Sequence, residues 1–189
     1  ESDNWSIKAP FGFQEPTDQD LVISSIEHEA VLASAEWVEQ KGFNVIYVNP
    51  DDSGKVQYEN YISKIKETTR VASLMWGNNE TGIIQPVSEI GRQLVNKKEI
   101  LFHSDIVQGF VSTKIDCHKA GINSAAMSAH KIGGPKGIGF MFLHNEYKIE
   151  SYLHGGKQEL ERRAGTVNVV GIAGFAAAVI EHGKRFDEE

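Results

Sequence analysis

The sequence predicts an α/β fold with a mostly parallel sheet flanked by helices. Short apolar runs rich in β-branched residues alternate along the chain with segments whose apolar residues recur at helical spacing. Turns that contain Pro, Gly or Asn separate these segments. Because strands that alternate with helices form βαβ units, neighbouring strands are expected to run parallel. No repeat, low-complexity tract or linker divides the chain, so we expect a single domain over residues 1–189.

The first half of the chain contains three predicted strands and two predicted helices. APFGFQEPTDQD is rich in Pro and polar residues and is interpreted as a connection, and LVISSI is short and β-branched and predicts a buried strand. Helical periodicity begins at His28 and ends at Gly42. NVIYVNP then predicts a strand that Pro50 stops. YENYISKIKE predicts a helix, and TRVASLMW predicts another buried strand.

The second half adds two helices and three strands. PVSEIGRQLVNKK predicts a helix with Pro86 in its opening turn, where proline is well tolerated. EILFHSD predicts a strand that ends at Asp105, and INSAAMSAH predicts a strand that ends at His130 and Lys131. GIGFMFLH predicts the last strand, and VVGIAGFAAAVIEHGK predicts the last helix.

Composition excludes several classes of protein. A net charge of −7 argues against nucleic acid or an anionic membrane as the main partner. No apolar window has the length of a membrane span, and the N-terminus lacks the layout of a signal peptide. Because Cys117 is the single cysteine, it cannot form an internal disulfide, and a cytoplasmic location is expected. The start at ESDN, without an initiator Met, is typical of a fragment.

Polar residues follow the ends of four predicted strands. In parallel α/β sheets the ligand lies outside these carboxyl ends. There a partly desolvated lysine would be nucleophilic and suited to pyridoxal phosphate (PLP), whose ring nitrogen needs a carboxylate and whose ring face suits an imidazole. The residues that the predicted sheet brings to this edge are Ser24, Ser25, Glu27, His28, Asn78, Asn79, Asp105, Ser128, His130 and Lys131.

Taken singly, the three central residues of this set have simpler interpretations. A lone lysine at a strand end, such as Lys131, is compatible with a solvated side chain. Asp105 is compatible with a cap on the segment that follows it, where Asp is favoured. His28 is compatible with a residue at the start of a helix whose only partner is solvent.

Other motifs give weaker signals. GGPKGIG lacks the Gly-Lys-Ser/Thr sequence of a P-loop, so this segment, with Lys136, is interpreted as a turn before a strand. His103 and Asp105 would face one side of a strand, but without a Cys pair or an HExxH motif no metal site is predicted. Basic neighbours could lower the pKa of the Cys117 thiol, although an ordinary surface segment is favoured.

The motifs together resemble one family. SSIEHEAVL, NNETGIIQPVSEIG, FHSDIVQG, SAHKIGGPKGIG and HGGKQELERRAGTVNV occur in the order and at the approximate spacing found in the NifS/IscS-like cysteine desulfurases of the class V aminotransferase group. The resemblance implies the large domain of a fold type I PLP-dependent transferase. It also implies a homodimer with shared active sites, which takes sulfur from L-cysteine, leaves alanine and an enzyme persulfide, and passes the sulfur to an acceptor protein for iron–sulfur assembly or tRNA thiolation.

The resemblance also implies roles for the residues around the ring of PLP. Lys131 matches the lysine to which PLP is attached and which moves protons at the substrate Cα. Asp105 matches the partner of the ring nitrogen, and Gln108 matches the residue that hydrogen-bonds the phenolic oxygen. His28 matches the imidazole stacked on the ring, which also serves as an acid/base.

The remaining implied roles concern the substrate and the phosphate group. Asn79 matches an Asn near the cofactor oxygen and the substrate carboxylate. Ser128 and His130 match phosphate-binding side chains beside the lysine. Thr166, in RRAGT, resembles a threonine that reaches the PLP phosphate of the neighbouring subunit, which is the basis for the expected homodimer.

Two parts of the family pattern are expected outside this chain. The Gly-Ala-Thr phosphate turn would precede residue 1, and the nucleophilic cysteine, the substrate-carboxylate arginine and the small domain would follow residue 189. We therefore expect the isolated chain to bind PLP weakly or not at all and to be inactive. Within the PLP class the alternatives are a selenocysteine lyase or another class V aminotransferase. Outside it, the alternative is a non-catalytic dimerising α/β scaffold.

Overall fold

A computed structural model of the chain describes residues 1–12 and 18–187, so the predicted connection APFGFQEPTDQD lies partly outside the described residues. Six strands form one sheet: β1 (Asp20–Ser24), β2 (Asn44–Val48), β3 (Thr69–Ser73), β4 (Leu101–Asp105), β5 (Ser124–Ser128) and β6 (Gly139–Leu143). Their order is β2-β1-β3-β4-β5-β6. The first five strands run parallel and β6 is antiparallel to β5. The predicted α/β class is confirmed.

Of the α-helices described, three lie between strands, one precedes β1 and two follow β6. They are α1 (Ser2–Lys8), α2 (Glu29–Gln40), α3 (Tyr58–Lys64), α4 (Val87–Leu94), α5 (Gln158–Glu161) and α6 (Val169–Asp187). The four predicted helices are present as α2, α3, α4 and α6, whereas α1 and the single turn α5 were not predicted. No helix in the described ranges is both long enough and apolar enough to span a bilayer.

The end of β5 differs from the sequence prediction. The strand stops at Ser128, and Ala129–Ile132 form a 3₁₀ turn instead of extending the strand to His130. Gly133, at φ 83°, ends this turn in the left-handed conformation that suits glycine. The chain has to reverse here, because the next strand pairs antiparallel with β5. The predicted strand was therefore too long at its carboxyl end.

Helices cover both faces of the sheet, as the alternation of side chains along a strand requires. Leu21 and Ile23 of β1 belong to a buried cluster that also contains residues of α1 and α2. Val22, between them, belongs to a second cluster that contains residues of α3, α4 and α6. Strands β1, β3, β4 and β5 are largely buried on both faces, whereas the edge strand β2 is mostly exposed or half-buried.

Two glycines allow close packing beside the sheet. A Cβ at Gly91, in α4, would overlap the carbonyl oxygen of Ala120. A Cβ at Gly109, in the 3₁₀ turn after β4, would overlap the indole ring of Trp76. The segment after β4 therefore lies directly against the segment after β3, and this contact helps to position the carboxyl ends of the two strands.

Candidate functional site

The carboxyl ends of four adjacent strands define the candidate site. Strands β1, β3, β4 and β5 are neighbours and run parallel, so their last residues lie along one edge of the sheet. These last residues are Ser24, Ser73, Asp105 and Ser128. The polar residues that sequence analysis placed after these strands therefore start from a common edge, as the parallel topology predicted.

Asp105 is the buried acid of this edge. It ends β4 and is 5% exposed, and its Oδ1 accepts a hydrogen bond from the backbone N–H of Val107 (2.9 Å). This contact is a local Asx turn, whereas the N-cap of the 3₁₀ turn that follows is Gln108 and not Asp105. Burial, and then the negative charge of Asp3, raise the pKa of Asp105 to about 6, whereas the Val107 N–H, His103 and His28 act in the opposite direction. A cation placed beside this carboxyl would stabilise its charged form.

The turn after β5 carries the candidate lysine. Ser128 is half-buried, and His130 and Lys131 are exposed. The partial desolvation expected for Lys131 is therefore not found within this chain, because the residue lies in the 3₁₀ turn beyond the end of the sheet. Lys136, also exposed, lies in the segment before β6, where it was predicted.

His28 lies at the start of α2 and is held by a specific contact. It is the N-cap of the helix, and its Nδ1 accepts a hydrogen bond from the backbone N–H of Ala30 (3.1 Å). Because Nδ1 accepts, a neutral His28 ring carries its hydrogen on Nε2. The ring is exposed, yet its charge is close enough to lower the pKa of Asp105. His28 therefore has more than solvent as a partner, and it lies in the neighbourhood of the buried acid.

Gln108 and Asn79 lie in the connections after β4 and β3. Gln108 is half-buried and immediately precedes the 3₁₀ turn that begins at Gly109. Asn79 is exposed, whereas its neighbour Asn78 is buried and donates through Nδ2 to the carbonyl oxygen of Ile26 (3.0 Å). Asn78 thus joins the loops after β3 and β1, and Asn79 is left at the surface of the same edge.

Thr166 lies on a different part of the chain from the strand ends. It is exposed and lies between α5 and α6. Nearby, Arg163 forms an ion pair with Glu1 at the start of α1, which attaches this segment to the first helix. The structure therefore places seven of the eight predicted residues at or just beyond strand ends and Thr166 apart from them.

Glu27 is a buried acid of this edge to which sequence analysis gave no role. Its Oε1 accepts hydrogen bonds from Ser24 Oγ (2.9 Å) and from the backbone N–H of Met75 (2.8 Å). In the described part of the chain its buried Oε2 has no hydrogen-bond partner. Burial raises the pKa of Glu27 to about 8, and Asp105 and Asp3 contribute to the increase. No sequence pattern separated this acid from an ordinary residue before a helix.

The weak metal signal at His103 has a different explanation. His103 is fully buried, and its Nε2 lies 3.1 Å from Asp3 Oδ1 on α1. Within residues 1–12 and 18–187, no group of three or more His, Cys, Asp and Glu residues is arranged to hold a metal ion. Asp3 was missed because α1 itself was not predicted.

The possibility of a low thiol pKa at Cys117 is wrong. Burial and the adjacent charge of Asp116 raise the pKa of Cys117 to about 11. The side chain is half-buried and packs against the core cluster that contains α3 and α4. Cys117 is thus more buried than an ordinary surface residue, and its thiolate is disfavoured.

Sequence comparison identifies relatives over nearly the whole chain. A model of the aminotransferase class-V family matches residues 10–187. The cysteine desulfurase IscS of Methanosarcina thermophila is 42% identical over 178 residues, which cover 94% of this chain and 44% of that protein. The cysteine desulfurase IscS of Clostridium botulinum (strain Hall) is 40% identical, over 95% of this chain and 45% of that protein. The chain thus spans less than half the length of these two curated relatives.

Solved structures give the same result for the fold. A structure described as a NifS-like protein superposes with a TM-score of 0.92 at 36% identity, over 99% of this chain and 52% of the other. A structure of SspA in complex with cysteine superposes with a TM-score of 0.87 at 34% identity, over 95% of this chain and 52% of the other. The sheet and its flanking helices therefore have the architecture of one part of these larger chains.

Proposed function

The chain belongs to the aminotransferase class-V family, and from this membership we propose that the complete gene product is a PLP-dependent cysteine desulfurase. The observation that carries the proposal is the buried carboxyl of Asp105, on the strand next to the one that leads into Lys131. Relatives at 40–42% identity that bear the name cysteine desulfurase support the choice of activity within the family. L-Cysteine is the proposed substrate, and alanine and a protein persulfide are the proposed products.

The residues of the edge fit PLP. Burial and the charge of Asp3 disfavour the charged form of Asp105, and a protonated ring nitrogen beside it would compensate for both effects. Ser128 and His130 supply a hydroxyl and an imidazole for a phosphate group next to the amine of Lys131. The amides of Gln108 and Asn79 are suited to the oxygen atoms of the cofactor and of the substrate.

The proposed mechanism gives roles to four side chains. When bound, PLP supplies an electron sink for the carbanion at the substrate Cα. The amine of Lys131 would hold the cofactor and would carry a proton to and from the substrate Cα. The carboxylate of Asp105 would keep a proton on the ring nitrogen, and Gln108 would donate a hydrogen bond to the phenolic oxygen. His28, fixed by its contact with Ala30, would help to hold the ring and would exchange protons with the substrate.

The thiol that receives sulfur is proposed to come from outside residues 1–189. Cys117 is the single cysteine of the chain, and its pKa is raised to about 11. Because the thiolate is the reactive form, Cys117 is unsuited to this attack. The isolated chain is therefore expected to be inactive.

The proposal includes an assembly and a location. The enzyme is a cytoplasmic homodimer in which Thr166 reaches the phosphate site of the partner subunit. A sulfur-acceptor protein takes the sulfur from the protein persulfide. The exposure of Thr166, on a segment apart from the strand ends, supports a role outside its own subunit.

The test uses the complete gene product with bound PLP. Lys131→Ala should abolish the visible absorption of bound PLP and the pyridoxyl mass that borohydride reduction attaches to the protein. Lys136→Ala, a matched change of an exposed lysine in the same turn region, should leave both unchanged. A wild-type protein that is colourless and does not bind added PLP would favour the non-catalytic scaffold. Release of alanine from selenocysteine but not from L-cysteine would favour a selenocysteine lyase, and a ketone product would favour another class V aminotransferase.

A further inference from the structure

A buried hydrogen-bonded network of side chains connects the first helix to β4 and β5, the strands beside Asp105. Asp3 Oδ1 lies 3.1 Å from His103 Nε2, and His103 Nδ1 lies 3.2 Å from Ser124 Oγ. Ser124 Oγ lies 2.6 Å from Ser6 Oγ, so the network begins and ends on the first helix. Asp3 and Ser6 are three positions apart on α1 and therefore share one face of it. The helix thus holds the imidazole of His103 at both ring nitrogens, directly through Asp3 and indirectly through Ser124.

His103, in the middle of this network, lies close to the proposed partner of the ring nitrogen. His103 and Asp105 are two residues apart on β4, so their side chains lie on the same face of the sheet. At a rise of about 3.3 Å per residue, their Cα atoms are separated by roughly 6–7 Å. Asp3 raises the pKa of Asp105 and His103 lowers it, so the two members of the pair have opposite effects on the same acid.

We propose that Asp3 is a positioning residue of the site: its contact with His103 holds the Asp3 carboxylate beside β4, and the charge of that carboxylate controls how readily Asp105 gives up its proton. The importance of this control for catalysis rests on the proposed function, in which Asp105 must be charged to hold the ring nitrogen in its protonated form. The first helix, which packs against β4 and β5, is then part of the active-site machinery.

The sign of the effect follows from the groups that face Asp105. They are Asp3 on α1, His103 on β4, and Glu27 and His28 in the loop after β1. An ionised Asp3 can only accept a hydrogen bond, so the contact keeps a hydrogen on His103 Nε2. Glu27 is protonated below pH 7 because its pKa is about 8, so it adds no negative charge in the range where Asp105 titrates. Asp3 is therefore the acid whose removal should release the proton of Asp105.

The experiment follows the carboxyl resonance of Asp105 in the complete gene product without PLP, labelled with ¹³C-aspartate and assigned by comparison with Asp105→Asn. In Asp3→Asn the amide oxygen can still accept from His103, but the negative charge is removed. The pH midpoint of Asp105 should then fall by about 1 unit. His103→Gln removes the imidazole and should raise the midpoint.

Two variants serve as controls. Ser6→Ala removes the hydrogen bond between Ser6 and Ser124 without changing a charge. Glu27→Gln replaces an acid that is already neutral in the pH range where Asp105 titrates. Both should leave the midpoint of Asp105 within about 0.3 unit of the wild-type value, less than a third of the shift expected from charge removal.

An unchanged midpoint in a folded Asp3→Asn protein would overturn the proposal. If that variant does not fold, the decision passes to His103→Gln, and a midpoint that stays or falls there would overturn it as well. These titrations need no cofactor, whereas the colour and borohydride test needs PLP. Failure of the Asp3 linkage and failure of the desulfurase proposal are therefore seen in separate measurements.

Discussion

The guanidinium of Arg163 donates two hydrogen bonds to the carboxylate of Glu1, from Nε at 2.7 Å and from Nη2 at 3.1 Å. This bidentate geometry fixes orientation as well as distance. It attaches the segment between α5 and α6, which carries Thr166, to the start of α1. Because both side chains are partly exposed, the pair contributes more to the placement of that segment than to global stability.

Arg163→Lys should loosen this segment with little effect on the fold. Lysine keeps the positive charge but lacks the fork that makes two parallel hydrogen bonds. We expect faster hydrogen exchange in residues 151–166 and a loss of less than about 1 kcal/mol in the free energy of unfolding. Arg162→Lys is the matched control and should exchange like the wild type. Unchanged exchange in Arg163→Lys would show that other contacts hold the segment.

Glu27 should make the stability of the protein depend on pH. Folding raises its pKa from the usual value of 4.5 to about 8, so the native state binds this proton more tightly than the unfolded state. The stability contributed by protonated Glu27 is complete below pH 4.5 and is lost as pH rises through about 8. Above that range the lost contribution is on the order of 5 kcal/mol.

Glu27→Gln removes this titration and keeps the Oε1 acceptor for Ser24 and Met75. The variant should be more stable than the wild type at pH 9 and should show a flatter stability profile between pH 5 and 9 in urea unfolding. Asp51→Asn, at an exposed acid in the loop after β2, should keep the slope between pH 5 and 9. Equal slopes in Glu27→Gln and wild type would mean that Glu27 is charged in the native protein.

Asp105→Asn should weaken the binding of PLP to the complete gene product. An amide cannot balance the charge of a protonated ring nitrogen, so the affinity should fall at least about tenfold, which corresponds to about 1.4 kcal/mol. Fluorescence or absorption titration with PLP measures this change. Asp116→Asn, at an acid on the exposed surface, should bind like the wild type. Equal affinity in Asp105→Asn would remove the ring-nitrogen role from Asp105.

Gly91→Ala should destabilise the fold, because the new methyl group would overlap the carbonyl oxygen of Ala120. Backbone has to move to relieve this overlap, at a cost of about 1–3 kcal/mol or more. Gly183→Ala is the matched control in another helix. No heavy atom lies within 4 Å of the added carbon there, so that change should stabilise the protein by up to about 1 kcal/mol. Thermal unfolding of the two variants should therefore shift in opposite directions.

The sheet and most of its helices could be predicted because their sequence patterns are local. The strand from Asp20 to Ser24 is short, apolar and buried on both faces, and the helix after His28 has a clear period and a clear end. The parallel order of such strands also predicted that Asp105 and the turn with Lys131 belong to one edge. That Lys131 carries PLP stays a prediction.

The parts that sequence analysis missed depend on distant contacts. Helix α1 has only seven residues, too few for a reliable period. Its Trp5 contacts Glu150 and Tyr152, far along the chain, and its Ile7 belongs to the buried cluster that contains β1 and α2. Without α1, neither Asp3 nor its pairing with His103 could be anticipated. The burial of Glu27 depends in the same way on Met75, in the segment after β3.

These distant contacts also set an order of events during synthesis of the protein. Trp5 donates to the carbonyl oxygen of Glu150 (2.6 Å), 145 positions away, and Glu1 meets Arg163 at a separation of 162 positions. At about 5–20 residues per second, a ribosome needs on the order of 10 seconds to make the chain between such partners. For that time the indole of Trp5 lacks its late partners Glu150 and Tyr152, although Ile7 can already pack against β1 and α2, so a nascent chain halted before Glu150 should present Trp5 to chaperones.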